Sequence, residues 1–102
     1  MTEGTPDIIF ITMIFDWDDK KNERLQNERG ISFEQILFYI QNDCVLDILE
    51  HPNKEKYGKQ KLYVIKIENY AYVVPFIDKG EKRFLKTIFP SRKYTQKYLR
   101  KE

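Results

Sequence analysis

The chain has few of the residues that build disulfide-linked, zinc-binding or membrane-spanning proteins. Among its 102 residues there are one cysteine, Cys44, and one histidine, His51. A single cysteine cannot form an intramolecular disulfide, and no cysteines and histidines cluster with the spacing of zinc ligands. The apolar run at residues 8–15 is too short to cross a bilayer, and acidic rather than basic residues precede it. These absences predict a cytoplasmic protein that needs no metal, no cofactor and no membrane.

The chain does have enough apolar sequence for one folded domain. Hydrophobic residues make up 41% of it, which is enough for a globular core, and its length allows a single domain. We expect residues 1–7 to form a flexible leader, because they offer little to bury, and residues 8–102 to form the domain. Cys44 is expected to be a small core residue.

Positive charge is concentrated at the C-terminal end. Residues 81–102 contain eight Lys and Arg against two Asp and Glu, a net charge of +6, whereas residues 1–80 contain ten against fourteen, a net charge of −4. Aromatic residues are interleaved with the basic ones: Phe84, Phe89, Tyr94 and Tyr98. Cations neutralise phosphates and aromatic rings stack on unpaired bases, so the mixture favours RNA or single strands over a duplex. A solvated C-terminal helix would have the same composition.

Local patterns predict an α+β fold. Residues 8–15 have the composition of a strand. Asp16 or Asp18 can cap a mostly polar helix that ends at Gly30, and the spacing of Ser32 and Gln35 is that of a capping box opening a second helix with an apolar face. Further strands are predicted near residues 45–49, at 61–68 and 70–77 as a hairpin, and at 83–89, followed by a short helix over residues 92–101 capped by Ser91.

This order of elements predicts an antiparallel sheet of four or five strands. Two N-terminal helices should pack on one face of it, and a short C-terminal helix should follow the last strand. Pro75 lacks an N–H group, so the 70–77 strand should lie at an edge, contain a bulge or stop pairing there. An apolar edge at residues 70–77 is a candidate surface for a partner's strand.

Two segments resemble the BrnT-type toxins. Residues 15–18, Phe-Asp-Trp-Asp, precede Lys20, Lys21 and Asn22, and then residues 29–34, Arg-Gly-Ile-Ser-Phe-Glu. The family pattern is an aromatic, an acid, Trp-Asp, a Lys-Asn pair and a Lys-His-Gly-Val-Ser-Phe segment. Residues 90–93, Pro-Ser-Arg-Lys, are similar to the family's Ser-Ala-Arg-Lys segment. The family's Lys-His pair falls at Glu28 and Arg29, and its basic residue near Thr87 falls at Lys86.

The resemblance implies a RelE-like fold within the RelE/ParE-like superfamily. It also implies the toxin of a type II toxin–antitoxin module, a metal-independent ribonuclease that cleaves RNA, inhibits translation and growth, and is neutralised by a cognate antitoxin. The expected partners are that antitoxin and mRNA, free or ribosome-associated, with operator DNA contacted only through the antitoxin. The alternative is a non-catalytic RNA- or protein-binding module on the same scaffold.

RNA cleavage without a metal needs a general base, cations for the developing phosphorane charge and a proton donor for the leaving oxygen. Arg92 is the first choice for phosphate, because its planar fork matches two oxygens. The candidate catalytic residues are Arg92, Arg83, Lys86, Tyr94 and His51, and the candidate RNA-binding residues are Lys20, Lys21, Arg24, Arg29, Lys93, Lys97 and Tyr98. Tyr94 or Tyr98 could act as the acid if its hydroxyl were well positioned or if neighbouring cations lowered its pKa. The aspartates at positions 16, 18 and 19 are interpreted as helix caps, and Trp17 as a structural anchor.

Overall fold

A mixed six-stranded sheet with four helices forms the described part of the protein. The computed structural model describes residues 13–100. The predicted leader and residues 8–12 of the predicted first strand lie outside that range. The elements, in chain order, are β1 Ile14–Asp16, α1 Asp19–Arg29, α2 Phe33–Gln41, β2 Val45–Glu50, α3 Lys54–Tyr57, β3 Gln60–Ile67, β4 Tyr70–Lys79, β5 Lys82–Leu85, β6 Phe89–Pro90 and α4 Arg92–Leu99.

The strand order is β1-β5-β4-β3-β2, with β6 also paired to β4. All pairs are antiparallel except β1 with β5, which run parallel, so the sheet is mixed rather than antiparallel throughout. The prediction that residues 70–77 form an edge is wrong. The chain turns after β4 and returns as β5 on the side of β4 away from β3, which leaves β4 in the middle and β1 and β2 at the edges.

A bulge opposite Pro75 interrupts the strand that was predicted over residues 83–89. Phe76 lies opposite Leu85, whereas Val73 lies opposite Phe89, so one extra residue is inserted between β5 and β6. Pro75 has no N–H to donate, but its carbonyl accepts the N–H of Lys86 at 2.8 Å. The proline therefore produces the bulge that its chemistry predicts.

The helix ends follow the predicted caps. The side chain of Asp18 accepts the N–H groups of Lys20 and Lys21, and Gly30 ends α1 with a φ of 70°. Ser32 and Gln35 form the capping box of α2, and Ser91 caps α4. The predicted turn between β3 and β4 is also confirmed, since both of its residues, Glu68 and Asn69, have positive φ. The charged segment between β2 and β3 contains the one-turn helix α3.

The main core lies between α1, α2 and one face of the sheet. Its helical side includes Leu25, Phe33 and Ile36, and its sheet side includes Tyr63, Ile65, Val74, Phe76 and Leu85. Trp17 stacks on Phe33 with ring centroids 5.5 Å apart, as expected of an anchor, and Cys44 is partly buried at the margin of this core. Helix α4 packs on β4 through Thr95, whose Oγ1 accepts the N–H of Ala71 at 2.8 Å.

Asn22 fixes the angle between the first two helices. Its Oδ1 accepts the N–H of Phe33 at 2.7 Å, and its Nδ2 donates to Glu34 Oε1 at 2.8 Å. The hydrogen bond from Asn22 is the main reason that the pKa of the Glu34 carboxyl is lowered. These two hydrogen bonds join the first turn of α1 to the first turn of α2.

Candidate nucleic-acid interface

A basic cleft lies between the first turns of α1 and the end of β5. Its volume is about 590 Å³, and it is lined by Asp18, Lys20, Lys21, Arg24, Phe84 and Lys86. The one carboxylate in the lining, that of Asp18, is turned to the N-terminus of α1, where it accepts N–H groups at 2.8 and 3.3 Å. Among residues 13–100, none of the four cations forms a salt bridge. Four of the six described lining residues are therefore cations, a composition that suits an anion.

The ring of Phe84 forms the aromatic wall of the cleft. It is half-buried, and the ammonium groups of Lys79 and Lys86 lie 5.6 and 5.7 Å from its centroid, within the range of cation–π contacts. The sequence pattern identifies Phe84 as an aromatic among basic residues but does not assign it to a site. The sequence signal for its place in the cleft is its position two residues before Lys86. Residues two apart in an extended chain lie on the same side, so the two side chains are expected to be neighbours.

Arg83 points to the opposite face of the sheet from Phe84. Its Nε and Nη2 donate to the two carboxylate oxygens of Asp78 at 2.6 and 2.9 Å, and its Nη1 donates to the hydroxyl of Tyr63 at 2.6 Å. Its guanidinium lies 4.3 Å from the centroid of the Phe76 ring. The hydrogen bond with Asp78 raises the pKa of Arg83 and lowers that of Asp78. This predicted catalytic side chain is thus engaged in holding β4, β5 and β3 together.

A second basic surface lies on α4. Arg92, Lys93 and Lys97 are exposed there, and the ammonium groups of Lys93 and Lys97 lie 5.4 and 5.3 Å from the ring centroids of Tyr94 and Tyr98. The two tyrosine rings are themselves 6.1 Å apart. Because α4 packs on β4 near Ala71, it stands towards the other end of β4 from the part that pairs with β5.

The hydroxyl of Tyr98 donates to Asp47 Oδ2 at 2.5 Å. This hydrogen bond raises the pKa of Tyr98 to about 12. A proton held this tightly is not easily given to a leaving oxygen, which is the opposite of what an acid at this position requires. The bond ties α4 to β2, so Tyr98 has a structural role in the described fold.

His51 and Arg29 lie away from the basic cleft. His51 follows the edge strand β2, its Nδ1 accepts the N–H of Asn53 at 3.0 Å, and its ring packs 4.5 Å from that of Tyr57. Arg29 stands in the last turn of α1, about 14 Å along the helix axis from Lys20. It lines another depression, of about 210 Å³, together with Tyr39, Glu68 and Tyr72.

The structure brings together part of the predicted set. Lys86 meets the α1 cations in one cleft, whereas Arg83 faces the main core, and Arg92 and Tyr94 stand on α4. Helix α4 begins six residues after Lys86, so the Cα atoms of Lys86 and Arg92 are at most roughly 20 Å apart. Of the three aspartates interpreted as caps, Asp18 caps α1, Asp16 accepts the N–H of Trp17 at 2.9 Å, and Asp19 is the first residue of the helix. In the part of the chain that the structure describes, no group of His, Cys, Asp or Glu side chains is arranged to hold a metal ion.

The fold and the cleft define an α+β protein with a basic, aromatic-walled groove beside its sheet. None of the helices within the described range is both long and apolar enough to cross a membrane. Comparison of the chain with models of known families, with curated proteins and with solved structures finds no match. The resemblance to BrnT-type toxins therefore stays a prediction from residues 15–34 and 90–93.

Proposed function

We propose that the protein is the toxin of a type II toxin–antitoxin module, a BrnT-type, metal-independent ribonuclease with a RelE-like fold. It would bind RNA in the cleft between α1 and β5 and be neutralised by a cognate antitoxin. The observation that carries the proposal is the convergence of Lys20, Lys21, Arg24 and Lys86 around the ring of Phe84. These side chains come from two segments far apart in the chain.

The position of the cleft supports the resemblance. The first BrnT-like segment contains Phe15, which lies opposite Arg83 where β1 pairs with β5, and it continues into α1. The second segment, residues 90–93, follows Lys86 by only a few residues. The first segment therefore stands beside the cleft, whereas the second pairs with the start of β4 and leads into α4.

The chemistry of the cleft suits a phosphodiester. Attack of a ribose 2′-hydroxyl on the adjacent phosphorus places extra negative charge on the phosphate oxygens, and fixed cations stabilise that charge. In the cleft, Lys86 and the α1 cations supply this positive charge. Arg92 extends the positively charged surface towards α4. Of the predicted catalytic residues, Lys86 and Arg92 are exposed and Tyr94 is half-buried, and none of the three side chains has a hydrogen-bond partner among residues 13–100.

A non-catalytic RNA-binding module is the second candidate. The observation that favours it is the use of Arg83, His51 and Tyr98 in internal hydrogen bonds. A protein that kept the cleft but lacked an assembled acid and base would bind RNA without cutting it.

The proposal is tested by inducing the protein alone in bacterial cells and following growth, total RNA and protein synthesis. We expect growth arrest with RNA decay for the wild type, and relief by Lys86→Ala or by Arg92→Ala. Lys59→Ala is the matched control, because Lys59 is an exposed lysine in the turn before β3 and does not line the cleft. It should remain as toxic as the wild type.

Two other results would decide between the candidates. Purified wild-type protein that binds RNA tightly but leaves it intact, together with unimpaired growth, would favour the binding module. Growth arrest that persists in a folded Lys86→Ala variant would show that the cleft is not the toxic site. Circular dichroism of each purified variant establishes that it is folded.

A further inference from the structure

We propose that the cleft binds one unpaired nucleotide, with its base stacked on the ring of Phe84 and its phosphate held by the surrounding cations. The inference rests on the proposed function, since it specifies the RNA that the same site accepts. The ligand is single-stranded RNA with an accessible base; a duplex has no free base face to stack on the Phe84 ring.

The placement of Phe84 is the first support for this inference. The neighbouring Leu85 is fully buried in the core, whereas Phe84 points to the other face of the sheet and is not a member of that core. Its ring is the aromatic part of a lining that otherwise consists of charged side chains. A large apolar ring left among cations is suited to stacking on a base, because every base has a flat π face.

The cations around the ring are the second support. Lys79 and Lys86 are exposed and reach the ring at 5.6 and 5.7 Å, while Lys20, Lys21 and Arg24 approach from α1. A base that stacks on Phe84 takes the place of an ammonium group over the ring. The displaced ammonium then lies beside the phosphate of the same nucleotide, because lysine side chains are long and flexible.

Two further points support the binding of a single unpaired nucleotide: the volume of the cleft and the fact that base faces are hidden in a duplex. A volume of about 590 Å³ lies in the range of small-ligand pockets, so a single nucleotide fits. In a duplex the base faces are hidden in the stack, and only phosphates and sugars remain for contact. A duplex would therefore use the cations without using the ring.

Binding measurements on purified Phe84→Leu protein test the proposal. The probe is a short, fluorescently labelled 2′-O-methyl oligouridine, which lacks the free hydroxyl needed for cleavage, and the reference ligand is inorganic polyphosphate, which has charge but no bases. We expect the variant to bind the oligonucleotide about 5- to 140-fold more weakly than the wild type, the range of one base–aromatic stack. Its affinity for polyphosphate should not change.

Two further variants separate stacking from general damage. Phe84→Tyr keeps an aromatic face and should bind the oligonucleotide nearly as well as the wild type. Phe38→Leu makes the same change as Phe84→Leu at a ring on α2 that is 60% exposed and does not line the cleft. It should have no effect on either ligand.

The possible failures are distinguishable. If the wild type binds no RNA, the proposed function falls and this inference falls with it. If the wild type binds the single strand but Phe84→Leu binds it equally well, or loses polyphosphate affinity to the same extent, only the stacking site is refuted. Equal affinity of the wild type for the same strand annealed to oligoadenosine would also refute it. If the wild type binds RNA but does not cleave it, the proposed ribonuclease activity is refuted and the proposed stacking site is not.

Discussion

At the scale of single residues, hydrogen bonding decides which polar side chains are accessible to a ligand. Arg83 makes three hydrogen bonds to Asp78 and Tyr63, whereas Lys86, three residues later, lines an open cleft. Both residues are cations near the end of β5, and strand geometry sends them to different environments. The face of the sheet on which a cation lies therefore decides its role: Arg83 binds other side chains of the protein, whereas Lys86 is available to a phosphate.

Arg83→Lys is expected to lower stability and leave RNA binding unchanged. Lysine keeps the charge but cannot donate two parallel hydrogen bonds to Asp78. Because the Asp78 side chain is 43% exposed, solvent screening limits the loss of unfolding free energy to about 1 kcal/mol. Urea unfolding and oligonucleotide binding check the two parts. If the Arg83→Lys variant is folded but loses RNA binding, Arg83 contacts the RNA and its role is not purely structural.

Asn22→Ala should destabilise the protein by about 1–2 kcal/mol, because it removes the acceptor of the part-buried Phe33 N–H as well as the link to Glu34. The measurement is the midpoint of urea or thermal unfolding. Asn27→Ala is the control, since Asn27 is an exposed asparagine of the same helix. Similar losses in the two variants would mean that helix propensity, rather than the joint between α1 and α2, explains the effect.

At the scale of elements, local signals were enough to place most helix ends and turns. Asp18, Gly30 and Ser32 act through groups only a few residues away, so their roles can be predicted from the sequence alone. The bulge opposite Pro75 also has a local cause, a missing N–H. Parallel pairing of β1 with β5 depends instead on residues almost seventy positions apart and has no local signal. For the same reason, the cleft between α1 and β5 was not predicted as one site.

The attachment of α4 to β2 should weaken in alkali. The folded-state pKa of Tyr98 is raised from 10.0 to about 12, so the stabilisation from its bond to Asp47 is complete below pH 10 and is lost as the pH rises through about 12. At the acid end, the lowered pKa of Asp47, which is due chiefly to the same bond, means that this contribution is lost as the pH falls below 3.8.

Unfolding midpoints measured across the alkaline range, with Tyr98→Phe as the variant, check this expectation. The variant should be less stable than the wild type at neutral pH, and the difference should shrink as the pH approaches 12. Tyr94→Phe is the matched control, because the Tyr94 hydroxyl has no hydrogen-bond partner within residues 13–100. A difference between wild type and Tyr98→Phe that stays constant with pH would contradict the assignment.

At the scale of the whole molecule, folding brings cations from the acidic segment and from the basic segment into one cleft. Residues 1–80 are acidic overall and residues 81–102 basic, yet three of the four cations in the cleft come from the acidic part. The charge of each segment predicted a polyanion-binding C-terminal end, and Lys20, Lys21 and Arg24 were named as RNA-binding candidates, but their meeting with Lys86 in one cleft was not predicted. Basic residues are found both in the cleft and on α4, and RNA could follow a path from one to the other.

The salt dependence of RNA binding measures how much of that path is used. For single strands the slope of log K against log salt concentration is about −0.7 per phosphate neutralised, so Lys86→Ala should make the slope shallower by about 0.7. Lys59→Ala should leave it unchanged. Fluorescence anisotropy titrations with the 2′-O-methyl oligouridine at several KCl concentrations give the slopes. If Lys86→Ala has the wild-type slope while Lys93→Ala and Lys97→Ala have shallower ones, the phosphates lie along α4 and the cleft is not the principal RNA site.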